Sequence, residues 1–279
     1  MVEPIFTRYL YYKNEVINSL HWSILENQCD ESLYWAYELY FSGFQEEVFY
    51  YTREFYFMYY QETYPEYETY IDMQHQEWKV FKTDHCIIGT IVKLLVGSRP
   101  SLTNAIRIRQ KIIVDKSKIN QHKVFDTTRI PQCEIHKFRT LKLTKNMRNW
   151  TFLNTVACKY KIRRIICDDL SIDYPKVGTI NFDNWLYYAS YTPIWKKRIL
   201  KYGGIIDIDT HTVIIEDENF LHNYDYEPDE QSTELKEMLW TNDIKYYVNL
   251  STAAFCDKYG DDNLYKNISI RKTLNNIVN

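Results

Sequence analysis

Glycine and proline are scarce, with seven of each in 279 residues. That leaves little material for phosphate-cradling loops, and the chain contains no Walker loop, no G-x-G-x-x-G, no G-x-S-x-G and no H-E-x-x-H. Nucleotide-driven catalysis on a standard fold is therefore not expected. The six cysteines, at 29, 86, 133, 158, 167 and 256, form no C-x-x-C pair and no framework spacing, so they read as small buried apolar residues rather than a disulfide scaffold. No apolar run reaches the roughly 18 residues of a membrane span, and the start, MVEPIFTRYLYYKNEV, lacks the basic and apolar regions of a signal peptide. A cytosol-like compartment and no membrane partner are expected.

Tyrosine is abundant instead: 26 Tyr and 13 Phe accompany a chain that is 45% hydrophobic and 25% charged. Tyr, Phe, Ile, Asn and Lys have A/T-rich codons, so the excess is expected to reflect residue usage, with Tyr filling places where Leu or Phe would serve.

Charge divides the chain in three. Asp30 to Glu77 holds eleven acidic residues against one basic residue, Arg53. Lys79 to Arg164 holds twenty basic against four acidic, and Ile165 to the end eleven basic against nineteen acidic. The net charge of −3 thus conceals segments of about −10, +16 and −8.

The acidic part reads as helical. Leu33, Tyr37, Tyr40, Phe41 and Phe44 recur every three or four residues, with Asp30 or Ser32 as N-cap and Ser42-Gly43 as a stop. Val48, Tyr51, Thr52, Phe55, Met58 and Tyr59 form a second stripe that ends before Pro65, giving a helical hairpin. A third helix starts at Thr83 or Asp84 and stops at Gly97, and a fourth runs from Ser101 towards Ile113. Residues 1–114 therefore read as an aromatic helical domain, a bundle or a stack of helical hairpins.

Residues 115–279 read as a second, mixed α+β domain, basic to about residue 164. The hydrophilic run from Asp115 to Asp126 is the expected boundary. Glu134 to Leu143 alternates apolar and polar residues, which predicts a half-wet strand, and Trp150 to Ile162 returns to helical spacing. Within Asn181–Gly204, Pro193 breaks one helix and fits the first turn of another, which predicts a short aromatic helix followed by a basic one that stops at Gly203-Gly204. Ile205–Ile208 and Val213–Glu216 form a hairpin, and Ser232–Trp240 is the clearest helix of the tail. The predicted class is α+β, predominantly α.

The strings Ser32-Leu33-Tyr34-Trp35-Ala36-Tyr37-Glu38-Leu39-Tyr40-Phe41-Ser42-Gly43-Phe44 and Asn184-Trp185-Leu186-Tyr187-Tyr188-Ala189-Ser190 resemble those of an uncharacterised family from large nucleocytoplasmic DNA viruses. The resemblance covers most of the chain and implies host cytoplasm, a viral factory or the virion interior. It supplies no catalytic residues.

Three functional readings follow. In the first, a non-catalytic adaptor uses its basic central surface to hold nucleic acid or an acidic protein, with Arg107, Arg109, Lys111, Arg163 and Arg164 as phosphate contacts and Phe138 or Trp150 as stacking partners. The same charge is equally satisfied by the acidic hairpin of this chain or of a second copy. In the second, Asp207, Asp209 and His211 alternate along a strand and hold a divalent metal for chemistry on nucleic acid; a polar turn explains the same residues. In the third, Tyr34, Leu39 and Tyr40 resemble the short helical motif by which translation-initiation scaffolds dock on a cap-binding protein. His85-Cys86, Cys133 with His136, and Asp168-Asp169 are minor candidates, each explained as well by packing or capping. No cofactor or catalytic residue is expected.

Overall fold

The computed structural model describes residues 5–101, 129–139, 160 and 184–224. Nine helices and one two-stranded antiparallel sheet occur among them, the predominantly α form of the α+β class. None of these helices is long and apolar enough to cross a membrane.

Five helices, α1 (Lys13–Leu25), α2 (Cys29–Ser42), α3 (Gln45–Tyr59), α4 (Tyr67–Val80) and α5 (Cys86–Val96), follow one another on short connections. Helix α1 had no counterpart in the sequence reading because it is buried on nearly every side. Its polar residues go inward without breaking it: the hydroxyls of Ser19 and Ser23 donate to the carbonyls of Glu15 and Leu20 at 2.8 and 2.9 Å. A helix wrapped on all faces shows no amphipathic period to read. Helix α4 escaped for the opposite reason, since it buries only Tyr67, Ile71 and Trp78.

Helix α2 packs against α1, α3 and α5 and forms the middle of the body. It ends where the chain predicts. Gly43 takes φ 102°, its N–H returns to the Tyr40 carbonyl, and the Phe44 N–H returns to Leu39, both at 3.2 Å. These bonds satisfy carbonyls the helix end would otherwise orphan. Gly43 also abuts Pro193, so a Cβ there is excluded by conformation and by space. Gly97 plays no such part, because it keeps a right-handed backbone. Along α3 the buried stripe is Val48, Phe49, Thr52, Phe55, Tyr56 and Tyr59, leaving Tyr51 and Met58 half-exposed.

The strand predicted over 134–143 is a helix in its described part. Pro131 accepts the Glu134 N–H at 2.9 Å, and α6 (Gln132–Arg139) follows, burying Ile135 and Phe138 three residues apart. In so short a run, three-residue spacing and alternation share too many positions to be told apart. The predicted boundary at 115–126, the helix at 232–240 and residues 140–143 lie outside the described residues, as do the predicted helices at 101–113 and 150–162 apart from Ser101 and Tyr160.

Beyond them, α7 (Trp185–Ala189) leads to α8 (Pro193–Lys201), whose first residue is the proline. Strands β1 (Ile205–Asp207) and β2 (Thr212–Ile214) pair Ile205 with Ile214, Ile206 with Val213 and Asp207 with Thr212, and α9 (Glu218–Tyr224) closes the described chain. One core runs from Phe6 through α1–α5 to Ile135 and Phe138 of α6, Trp195 and Ile199 of α8, and Phe220 of α9. Residues on both sides of the expected domain boundary therefore share it.

Tyrosines supply much of that core, and several of their hydroxyls have defined partners. Tyr37 donates to the His85 carbonyl at 2.8 Å and Tyr56 to the Tyr64 carbonyl at 3.1 Å, while Tyr67 and Ser98 share a bond of 2.9 Å. Leu or Phe would leave those partners unsatisfied, so compositional drift alone does not describe these positions.

Candidate functional site

Polar groups converge most densely where the basic α6 rests on α2. The N-terminal segment brings Arg8 there. A bridge between Phe6 and Tyr12 folds residues 6–12 into a tight loop with Leu10 at φ 62°, and the Arg8 N–H donates to the Ser42 hydroxyl at 2.7 Å. Its side chain enters the core and meets Glu38, which is fully buried on α2. Arg8 Nε donates to Glu38 Oε2 at 2.8 Å, and the other carboxylate oxygen accepts the Tyr9 N–H at 3.2 Å. The two guanidinium ends donate to the carbonyls of Phe138 and Arg139, the former at 2.6 Å. Those carbonyls are orphan acceptors at the C-terminal end of α6, where a cation also complements the helix dipole. The aromatic rings of Tyr9 and Phe41 lie 4.6 and 5.2 Å from the guanidinium carbon. Arg8 thus has carboxylate, carbonyl and ring partners in a dry site, which is what makes burial of its charge tolerable.

A second network adjoins it. His85, just before α5, lies against α2 with its ring edge-on to Tyr40 and Phe41 at 5.5 and 5.4 Å. Nδ1 is 3.2 Å from the Tyr40 hydroxyl, which accepts the Trp78 indole N–H at 2.8 Å and donates to the Lys82 carbonyl at 3.3 Å. On the other side of the ring, Nε2 lies 3.5 Å from Arg139 Nη2. Burial, followed by the Arg139 charge, holds the imidazole below its ordinary pKa of 6.5, with Asp84 opposing.

The start of α6 is held as well. Cys86 Sγ lies 2.9 Å from Gln132 Oε1, and Arg129 pairs with Asp84 and reaches Glu77 at 4.0 Å; in the last turn Lys137 pairs with Asp30 at 3.1 Å. Between α5 and residues 129–132, Asp84, Cys86, Arg129 and Gln132 line an open groove of about 530 Å³, with Phe81 and Pro131 on its apolar wall. Burial and the neighbouring Asp84 push the Cys86 thiol up. The His85 ring points to Tyr40 and Arg139 and the thiol to Gln132, so this pair does not have the arrangement of a histidine-activated thiolate. Cys133 and His136 are exposed on α6.

The predicted phosphate contacts Arg107, Arg109, Lys111, Arg163 and Arg164 lie outside the described residues, as do Trp150 and Asp168-Asp169. Phe138 is not available for base stacking: it is buried and stacks on Tyr37 at 5.2 Å. Tyr34, Leu39 and Tyr40 are buried too, so the face proposed to dock a cap-binding protein is occupied by this chain's own core.

Asp207, Asp209 and His211 make a turn. Asp207 Oδ1 accepts the N–H groups of Asp209 and Thr210 at 2.9 and 3.1 Å, and hydrogen bonds from Thr210 hold its carboxyl below the usual range. His211 has φ 55° and stacks flat on Tyr187 at 4.8 Å. The Asp207 carboxylate is thus spent on the turn, the His211 ring on Tyr187, and Asp209 takes part through its backbone N–H; no group of three metal-ligating side chains occurs among the described residues.

Arg8 was missed by the sequence reading. The available signal was a lone arginine inside the apolar stretch Ile5–Tyr12, together with a lone glutamate, Glu38, on the most apolar face of α2. No protein-family model, curated protein or solved structure matches the chain.

Proposed function

We propose that the chain is a non-catalytic adaptor whose acidic helical body anchors a basic central segment, and that this segment holds nucleic acid through its phosphates. The supporting observation is the docking of α6. That helix belongs to the basic segment, and the helical body fixes it: Asp30 of the acidic segment pairs with Lys137, Arg8 of the N-terminal loop holds the Phe138 carbonyl, and Asp84 before α5 pairs with Arg129 just ahead of the helix. The chain on either side of it, 102–128 and 140–164, adds thirteen basic and two acidic residues. The ion pairs that anchor α6 use Arg129 and Lys137, which are not among these thirteen. Positive charge at that density suits a polyanion, which gains by releasing its counterions when bound. Arg107, Arg109, Lys111, Arg163 and Arg164 carry the first contacts. The resemblance to proteins of large DNA viruses makes host cytoplasm, the viral factory or the virion interior the place of action.

The test is binding of labelled single-stranded and duplex oligonucleotides at about 50 and 200 mM salt, the range over which phosphate contacts lose most affinity. The expected result is binding at the lower salt that weakens steeply at the higher, and that weakens for every sequence alike in an Arg107→Ala, Arg109→Ala, Arg163→Ala, Arg164→Ala variant. No binding at the lower salt overturns the reading and assigns the charge to an acidic protein surface.

A further inference from the structure

We propose that His85 is a pH-operated latch on α6: the neutral ring accepts a hydrogen bond from Arg139 and helps to hold the helix on the body, and the protonated ring repels it. The geometry fixes the proton. Arginine has donors only, so His85 Nε2, 3.5 Å from Arg139 Nη2, has to be the acceptor. The ring proton then sits on Nδ1 and is donated to the Tyr40 hydroxyl at 3.2 Å. Tyr40 accepts this bond and that of Trp78, and spends its own proton on the Lys82 carbonyl. The hydroxyl has one proton, with the Lys82 carbonyl at 3.3 Å and Nδ1 at 3.2 Å as its possible acceptors, so it is the Arg139 contact at Nε2 that selects the Nδ1–H form.

Protonation at Nε2 then places an N–H and a positive charge directly against a guanidinium. Asp84 opposes this only in part, and the neighbours that could soften it further are engaged elsewhere. Asp84, the nearest acid, accepts the Cys86 N–H at 3.0 Å through one oxygen and pairs with Arg129 through the other. On α2, Tyr37 donates to the His85 carbonyl, away from the ring. Lys82 supplies only its carbonyl to this network and carries its ammonium over Trp78 at 5.6 Å, and the Cys86 thiol faces Gln132. Beyond the Phe41 ring stands the Arg8 guanidinium, a further positive charge, with Glu38 already bound to it. Arg139 follows directly after Phe138, whose carbonyl Arg8 holds, so displacing its side chain acts on the clasped end of α6.

The latch stands on this geometry alone. Its consequence, that acidification loosens the anchor of the basic segment, rests on the function proposed above. Two measurements on the full chain without nucleic acid test it separately from that function. Nitrogen-15 spectra of the imidazoles should show His85 as the Nδ1–H tautomer at pH 7.5; the Nε2–H tautomer overturns the proposal. Hydrogen exchange, corrected for intrinsic rates, should show α6 amides losing protection several-fold between pH 7.5 and 5.5 while α1 and α2 keep theirs. His85→Gln, which retains an acceptor and cannot protonate, should flatten that response, and the exposed His136 and the Glu46-paired His75 remain in it as controls. An unchanged wild-type profile, or the same acid response in His85→Gln, overturns the latch. Should His85→Gln undock α6 at both pH values, Arg139→Gln decides: a flattened response supports the proposal and an undiminished one overturns it.

Discussion

Two clusters of polar residues can be compared directly. The Asp207 turn is continuous in sequence, exposed, and satisfied within four residues of itself. The Arg8 site is assembled from residues 8, 38, 138 and 139, is buried, and is satisfied only when three separate parts of the chain have come together. The first looked like chemistry in the sequence and is local architecture. The second was invisible in the sequence and ties the basic segment to the body. Sequence proximity makes polar residues conspicuous, whereas burial and long-range partnership make them consequential.

The sharpest way to break the comparison is to remove one half of the buried pair. Glu38→Ala leaves the Arg8 charge without its carboxylate in a dry site, and is expected to cost roughly 3–5 kcal/mol of unfolding free energy in a denaturant titration. An Arg8→Met, Glu38→Leu double variant, with no charge left to strand, should recover much of that loss while α6 loses hydrogen-exchange protection through the missing carbonyl donors. A double variant as unstable as the single one would mean that the pair contributes more than the satisfaction of its own burial. Gly43→Ala comes next, at about 1–3 kcal/mol, because φ 102° is unfavourable for alanine and its Cβ meets Pro193.

Two buried tyrosines sharpen the point at smaller scale. The Tyr40 hydroxyl joins Trp78, His85 and Lys82, whereas the Tyr60 hydroxyl, equally buried, has no hydrogen-bond partner among the described residues. Tyr40→Phe strands the Trp78 indole N–H and should cost about 1–3 kcal/mol. Tyr60→Phe removes a desolvated hydroxyl and nothing else, so the thermal midpoint should stay or rise. A fall on Tyr60→Phe comparable to that of Tyr40→Phe would show that burial alone, without partners, explains the tyrosine-rich core.

Acidification gives a third contrast, and its direction follows from His85. Its pKa is depressed in the folded chain, so the unfolded or undocked state binds the proton more readily. Stability is therefore full above the ordinary value of 6.5 and declines as pH falls through it, levelling off below the depressed value. His85→Gln should remove that part of the pH dependence in equilibrium unfolding.

What the sequence made legible follows from how each element earns its place. Helices α2, α3, α5 and α8 have a stop, a cap or a proline written beside a clear stripe, and each was read within a few residues. The hairpin was found because Asp209-Thr210 interrupts two isoleucine runs. Helix α1 could not be found by periodicity, because it buries polar residues such as Glu15, Asn18 and His21 along with its apolar ones, and α4 offers only three buried residues in fourteen. The Arg8 site was beyond reach for a different reason: its residues are separated by up to 131 positions, and only the packing of α2 against α6 brings them together.

The smallest expected effect belongs to the cluster that looked most like a catalytic site. Asp207 caps its own turn, and its carboxyl is lowered by the Thr210 and Asp209 hydrogen bonds at the surface. A depressed carboxyl contributes above its unfolded pKa and that contribution is lost as pH falls through the folded one, so any change of stability with pH from Asp207 is confined to acid well below the histidine range. Asp207→Asn keeps an acceptor for the same N–H groups, and at neutral pH its unfolding midpoint should match the parent within measurement error. Adding millimolar Mg²⁺ or Mn²⁺ should leave both midpoints where they were, since a ligand that binds only the native state raises the midpoint in proportion to its occupancy. A metal-dependent rise in the parent that Asp207→Asn abolishes would restore this turn as a metal site and invert the comparison.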